Sequence, residues 1–403
     1  MSNLAKDSYD RPPVQSDVLE WLKKNLFSSW FNTLLTIVSV LVIFLALRGI
    51  ISWVFFSADW SPVVQNLRLY AVGPYPIEQM WRIWVILYMV SFLAGMSAGK
   101  WRGTVFAFAQ AMEVVYIILA LLPVKLEYLP VATRLRLAAN IIFLVLGYLF
   151  AYRIQVAARW LILSWGISFI ITLVLLGGFR NVAVLPLVET GQWGGLMLTF
   201  LLAVVGILAS FPIGVLLALG RQSTLPVVKT MCIVFIEVVR GVPLVTILFM
   251  TSILLPLFLP ENMRLDRVLR AMLGMTLFAA AYMAENVRGG LQSIPRGQYE
   301  AAKAMGLNNT QTTILIILPQ ALRVVIPAIV GQFIALFMDT TLAIIVGLLE
   351  LLAVGSAILN SNPKWLMLDM EVYLFIALIF WIFTFSMAYA SRRVETAVGL
   401  GTR

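Results

Sequence analysis

Apolar residues gather along this chain in long unbroken runs, with neither the alternation of a half-buried strand nor the heptads of a coiled coil. Such runs, each about 16 residues or longer, predict helices near 31–56, 81–99, 103–123, 137–152, 160–178, 195–219, 243–259, 268–286, 322–337 continuing irregularly to about 354, and 370–390. A bilayer core of ~30 Å takes about 20 apolar residues per helical span. The pattern therefore predicts an all-α integral membrane protein of about ten transmembrane helices, with loops too short for a sizeable soluble domain.

Composition agrees and narrows the chemistry. Of 403 residues, 61% are hydrophobic and 12% charged, more apolar surface than a water-soluble core of that size would bury. Histidine is absent and Cys232 is the one cysteine, which excludes zinc-type clusters, Ser-His-Asp triads and intrachain disulfides. The first 25 residues are polar and mixed in charge, without the short apolar core and small-residue cleavage site of a secretory signal, so they are expected to stay on the cytoplasmic side. The net charge of +10 comes from Lys and Arg scattered between apolar runs. That is the distribution of charges that orient a membrane protein, and no nucleic-acid partner is expected. Placing both termini in the cytoplasm puts 18 of the 29 cationic residues there, against 11 elsewhere, which the positive-inside rule favours.

The stretch GFRNVAVLPLVETGQWGG near residue 190 separates two long apolar runs and divides the chain. The expected organisation is a cytoplasmic segment at 1–30, a transmembrane extension of about five spans at 31–185, and a five-span core at 190–395. Within the extension Glu113 is an acid at membrane depth, open to a functional role or to a helix-packing hydrogen bond made by its protonated form.

The polar stretch after Glu285 carries the most specific signal. Glu300-Ala301-Ala302 is followed by three residues, Gly306, nine residues, Ile316, one residue, then Leu318-Pro319. Helix formers fill Gln298 to Met305, Pro295 and Gly297 stop the preceding chain, and Gly306 with Asn308 and Asn309 ends the helix in residues that tolerate a left-handed turn. A helix this short is marginal in water and calls for a partner surface. Its alanines keep its sides thin enough to enter a groove.

This spacing resembles, at every motif position, the EAA loop of the membrane (permease) subunits of binding-protein-dependent ABC importers, here at 288–319. Around it, Glu237, Arg240, Gly241, Pro243 and Leu244 are similar to the Glu-x-x-Arg-Gly-x-Pro-Leu stretch of polar and general L-amino-acid permeases. The run RGGLQSIPRGQYEAA, the segment LPQALR and FMDTTL at 337–342 match the same subfamily, although Met338 and Thr341 depart from its usual Lys-Asp-Thr-Ser-Leu. The resemblance implies a C-terminal ABC importer core in a bacterial inner membrane. It implies ATPase coupling through Gly297, Glu300, Ala301, Ala302, Gly306, Leu318 and Pro319, and passage of amino acids from a periplasmic binding protein to the cytoplasm by alternating access. Its partners would be ABC ATPase subunits, a second homologous permease subunit, a periplasmic amino-acid-binding protein and membrane lipid. ATP and Mg would be bound on the ATPase, with no cofactor on this chain and no covalent chemistry.

Consistent with that division of labour, the nearest approach to a phosphate-binding loop is GMSAGK at 95–100, one residue short between its glycines and read as a helix end. For the pathway, Asp339 with Thr340 stands where an apolar helix breaks, either contacting substrate or capping the following run. Glu350 is the other pathway candidate, with packing as its alternative. Glu237, Arg240 and Glu285, near membrane ends, are expected to form structural ion pairs or loop contacts. The rival class, a gradient-driven secondary amino-acid transporter, would share the hydrophobicity and the intramembrane acids but has no use for the EAA loop.

Overall fold

A computed structural model of the chain describes residues 18–260 and 265–397. The N-terminal polar segment expected in the cytoplasm lies mostly outside the described residues, as does the tail from 398. The chain separates into two compact units, Met1–Asp59 and Trp60–Arg403.

The first unit is dominated by α1, Trp30–Ser57. Ser29 caps it by accepting from the Asn32 backbone N–H at 3.2 Å. Its apolar side chains are exposed on all faces, which suits a helix solvated by lipid rather than by protein.

The second unit contains α2 (Ile77–Trp101), α3 (Gly103–Leu121), α4 (Val131–Ile154), α5 (Ala158–Gly177), α6 (Gly195–Arg221), α7 (Pro226–Arg240), α8 (Leu244–Phe258), α9 (Arg267–Ser293), α10 (Arg296–Ala304), α11 (Ile326–Val346), α12 (Leu351–Ser361) and α13 (Asp369–Thr396). Among the described residues of the whole chain, 9 helices are long and apolar enough to cross a membrane, and 10 if α7 and α8 form one span broken by a 108° bend. The expected all-α architecture of about ten spans is therefore the observed one.

Helices α2 and α4 pack through glycine. A Cβ on Gly95 would fall inside van der Waals contact of the Leu144 carbonyl, and one on Gly147 would do the same to the Phe92 carbonyl. A Cβ on Gly99 would stand 2.8 Å from the Tyr148 carbonyl oxygen. Lipid offers no hydrophobic drive between helices, so close backbone approach of this kind is what holds them. GMSAGK is the helix end expected for it, since α2 stops at Trp101, and it is also a Gly-x-x-x-Gly packing face. Helix α3 joins the pair through a buried polar node in which the Ser91 hydroxyl donates to Asn140 Oδ1 and meets the Tyr116 hydroxyl, both at 3.0 Å.

Residues 60–76 form two short helices, Ser61–Val64 and Leu67–Val72, and settle against the start of α6. A Cβ on Gly73 would lie 2.5 Å from Gly194 Cα. Val63 and Tyr70 enter one core cluster with α12 and α13, while Val72 and Tyr75 enter another with α6 and α9. Just beyond, the fully buried Arg82 donates to the Leu175 carbonyl at 3.2 Å and the Pro186 carbonyl at 2.7 Å. Its two terminal nitrogens are held by the carbonyl where α5 ends and by the loop after it, while Nε is buried without a partner among the described residues.

Prolines set the breaks in the core. Pro243 follows the α7 end at Arg240-Gly241-Val242 and cannot continue its ladder. The sequence reading placed a span at 243–259 without the helix before it, because Lys229, Glu237 and Arg240 interrupt the apolar run. Pro256 lacks the N–H that would reach the Ser252 carbonyl, and the preceding turn, Met250–Leu254, widens into a π-helix. Pro319 stands in the same relation to the π-helical Thr312–Ile317. After α11, Gly347 adopts φ +75° and α12 begins afresh, so the expected irregular continuation to 354 is two helices separated by a left-handed glycine.

Candidate functional site

The EAA segment folds as an isolated helix, α10, bounded by Pro295 and Gly306. Its range, Arg296–Ala304, begins two residues before the expected Gln298. Gly306 has φ +78°, and its N–H donates to the Lys303 carbonyl at 2.9 Å while that of Leu307 reaches the Ala302 carbonyl at 3.2 Å. That is the hydrogen-bond pattern of a Schellman end. Asn308 does not help to end α10 as the sequence suggested. Its side chain instead caps the next turn in a reciprocal box with Gln311.

One side of α10 is fixed and the other is free. Ala302 is buried, and Tyr299 packs on a cluster that includes Val287, Leu291, Ile317 and Ala321. Gln298 and Gln320 join the two limbs of the loop at 3.3 Å. Glu300, Ala301, Lys303 and Gly306 are exposed, as are Gly297 and Pro319, with Leu318 half-buried. Met305 is 80% exposed. No atom lies within 4 Å of a Cβ built on Gly297 or Gly306. The structure therefore brings all seven motif residues into one loop and turns most of them outward.

A cluster of charges ties the helices behind this loop. Glu285 on α9 meets Arg221 of α6 at 3.5 Å and Arg240 of α7 at 3.4 Å, and pairs closely with Arg288 one turn along. Arg221 also reaches Glu237 at 2.9 Å, and the Arg240 guanidinium lies 5.5 Å from the Tyr282 ring. The expected ion pairing of Glu237, Arg240 and Glu285 is present. Arg221 and Arg288 completed it unseen, because Arg221 comes from a different helix far along the chain and no local pattern links it to Glu285.

The pathway candidates separate. Glu350 is fully buried and both its carboxylate oxygens cap α12, accepting from Leu352 N–H at 2.7 Å and Ala353 N–H at 2.8 Å. It behaves as the packing alternative. Thr340 is buried with its hydroxyl donating to the Phe337 carbonyl at 2.7 Å. Asp339, half-buried at the end of the α-helical part of α11, caps nothing. Its carboxylate has no hydrogen-bond or ion-pair partner among the described residues. Among the described residues no three Cys, Asp or Glu side chains converge as a metal site.

A short, largely exposed helix on a bundle of broken apolar helices suits a membrane subunit that meets something outside the bilayer. Residues 210–399 match the family described as binding-protein-dependent transport system inner membrane component. The inner membrane amino-acid ABC transporter permease protein YhdY of Escherichia coli K12 is 37% identical over 96% of this chain and 94% of its own. The glutamate/glutamine/aspartate/asparagine transport system permease protein BztC of Rhodobacter capsulatus is 35% identical over 95% and 94%. A solved amino acid ABC transporter with histidines covers 50% of this chain and 92% of its own at 25% identity and a TM-score of 0.46. The chain belongs to the amino-acid ABC transporter permease family, as a multi-pass inner-membrane component. Membership in that family sets aside the gradient-driven alternative.

Proposed function

We propose that this subunit carries amino acids inward and that α10 is where ATP hydrolysis on a partner chain drives it. The observation that supports this is the two-sided loop: Ala302 and Tyr299 root α10 in the core, while Glu300, Ala301 and Gly306 are exposed, with open space beside Gly306 among the described residues. In this reading an ABC ATPase receives α10, a second homologous permease subunit completes the pathway, and a periplasmic amino-acid-binding protein delivers cargo at the opposite end. Both termini are cytoplasmic. ATP and Mg reside on the ATPase, and this chain performs no covalent chemistry. Movement of α10 reaches the bundle through Ile317 and Ala321 and through the Glu285 cluster, shifting the balance between two packings of the helices. Asp339, unpartnered beside a helix break, contacts cargo in the pathway.

Gly306→Arg tests the coupling. An L-residue at φ +78° costs about 1 kcal/mol and a long cation holds the partner off, yet the core is untouched. The variant inserts and pairs with its sister subunit, but in vesicles with purified partners it neither imports amino acids nor raises ATP hydrolysis when loaded binding protein is added. Wild-type values for both would show that α10 is a passive connector.

A further inference from the structure

The end of the core remote from α10 holds a cleft of about 310 Å³ lined by Ser252, Ile253, Arg267, Arg270, Ile345 and Val346. It owes its existence to the proline in α8. With Pro256 unable to donate, the Ser252 carbonyl turns to the Arg270 guanidinium in a close hydrogen bond. Arg267, one turn earlier on the same face of α9, donates to the Gly347 carbonyl at 3.4 Å. These bonds orient two guanidiniums toward one space and leave most of their donors unused. Arg270 Nε and the Ser252 hydroxyl are both buried without a hydrogen-bond partner, Ser252 being 6% exposed.

Among the described residues no acid lines the cleft. The nearest in sequence, Asp266, is already engaged: one carboxylate oxygen accepts from the Val268 N–H at 2.8 Å and the other closely from the Thr190 hydroxyl. Neither arginine forms an ion pair with any described residue. Two guanidiniums with no acid partner among the described residues, together with a buried hydroxyl between aliphatic walls, suit an anion with an apolar stem, and a guanidinium matches a carboxylate in two parallel hydrogen bonds. The volume lies at the small end of the roughly 300–1,000 Å³ of ligand pockets, so it holds one amino acid rather than a peptide.

We propose that Ser252, Arg267 and Arg270 form a carboxylate-binding station for the transported amino acid, separate from Asp339, and that it favours acidic over basic side chains. Val346 and Asp339 stand at opposite ends of the 3₁₀ turn Thr340–Val346. At about 2 Å per residue they are on the order of 14 Å apart, so the two sites act in succession. The inference rests on the amino-acid-importer reading above.

The test uses the assembled transporter with Ser252→Cys placed in a Cys232→Ala background, which leaves one thiol on this chain, and labelling is read on this subunit after the chains are separated. In neutral-lipid vesicles an anionic methanethiosulfonate should label it at least tenfold faster than a cationic one. L-glutamate should slow the labelling and L-arginine should not. Equal rates for the two reagents, equal protection by the two amino acids, or protection by anionic lipid without protection by L-glutamate would each overturn the station. Uptake provides the second arm, with Arg270→Lys included because it keeps the charge and the stem. Arg267→Gln/Arg270→Gln should lower L-glutamate uptake at least tenfold and Arg270→Lys by less. Uptake by the double variant equal to wild type overturns the station, whereas absence of amino-acid uptake by the wild type would instead overturn the importer reading.

Discussion

Gly147 and Gly306 are the same residue placed for opposite reasons. At Gly147 a side chain would strike the Phe92 carbonyl, whereas at Gly306 it would meet nothing within 4 Å. The first lies between α4 and α2, where both partners belong to this chain. The second lies on a loop whose outer side no described residue touches. A glycine crowded by its own protein reports packing. One that is left-handed, exposed and surrounded by open space reports a turn, and here it directs attention to whatever the loop meets. The same contrast runs through the acids, since Glu350 spends both oxygens on a helix of its own chain while Asp339 spends neither.

Gly147→Leu should produce the largest effect. Overpacking typically costs about 1–3 kcal/mol and more where backbone must move, and here the obstacle is a carbonyl on the facing helix. Little monodisperse protein should survive size-exclusion chromatography. Recovery at the wild-type level would mean that α2 and α4 are not held by this contact.

Glu350→Ala comes next, because it removes a buried cap that satisfies two N–H groups. Loss of a cap costs about 0.5–2 kcal/mol. A thermal unfolding scan should show a clear drop in Tm, with Glu350→Gln recovering part of it because an amide oxygen still accepts. If Glu350→Ala keeps its Tm but loses uptake, Glu350 belongs to the pathway after all.

For Gly306→Ala the expected cost is about 1 kcal/mol, from the positive φ alone, confined to the end of α10. Hydrogen exchange should quicken at Met305 to Asn308 and stay unchanged in α9. Exchange quickened through α9 would show that the loop and the core are one cooperative unit, which the comparison with Gly147 denies.

Ser91→Ala should do least. Hydrogen bonds between helices in a membrane average about 0.6 kcal/mol, and Asn140 keeps its bond to the Arg136 carbonyl. A small fall in Tm is expected. A collapse comparable to Gly147→Leu would move the weight of the bundle from its glycines to its polar node.

The spans and the α10 loop were legible in the sequence because their signals are local. A run of about 20 apolar residues announces itself, and Glu300 to Pro319 sit within one contiguous stretch. The seam at Trp60–Tyr75 was not legible. Short helices of mixed composition carry no period long enough to read, and their meaning lies in Gly73 meeting Gly194, far along the chain. Helix α7 was missed because its charges, which the structure gathers around Glu285, look from the sequence like a loop.

By itself the sequence determined the all-helical membrane class, the number of spans and the position of the motif loop, since hydrophobic length and residue spacing are properties of neighbours along the chain. The tertiary structure decided what each polar group is for. Asp339, Glu350 and Glu285 are equally conspicuous acids in an apolar sequence, but one stands free, one caps a helix and one binds three arginines. Arg267 and Arg270 carry no local signal in the sequence, and their placement beside Ser252 exists only in the packed bundle. A hydrogen bond or an ion pair is settled by which groups come within about 3–4 Å, and that distance exists only once the helices have packed.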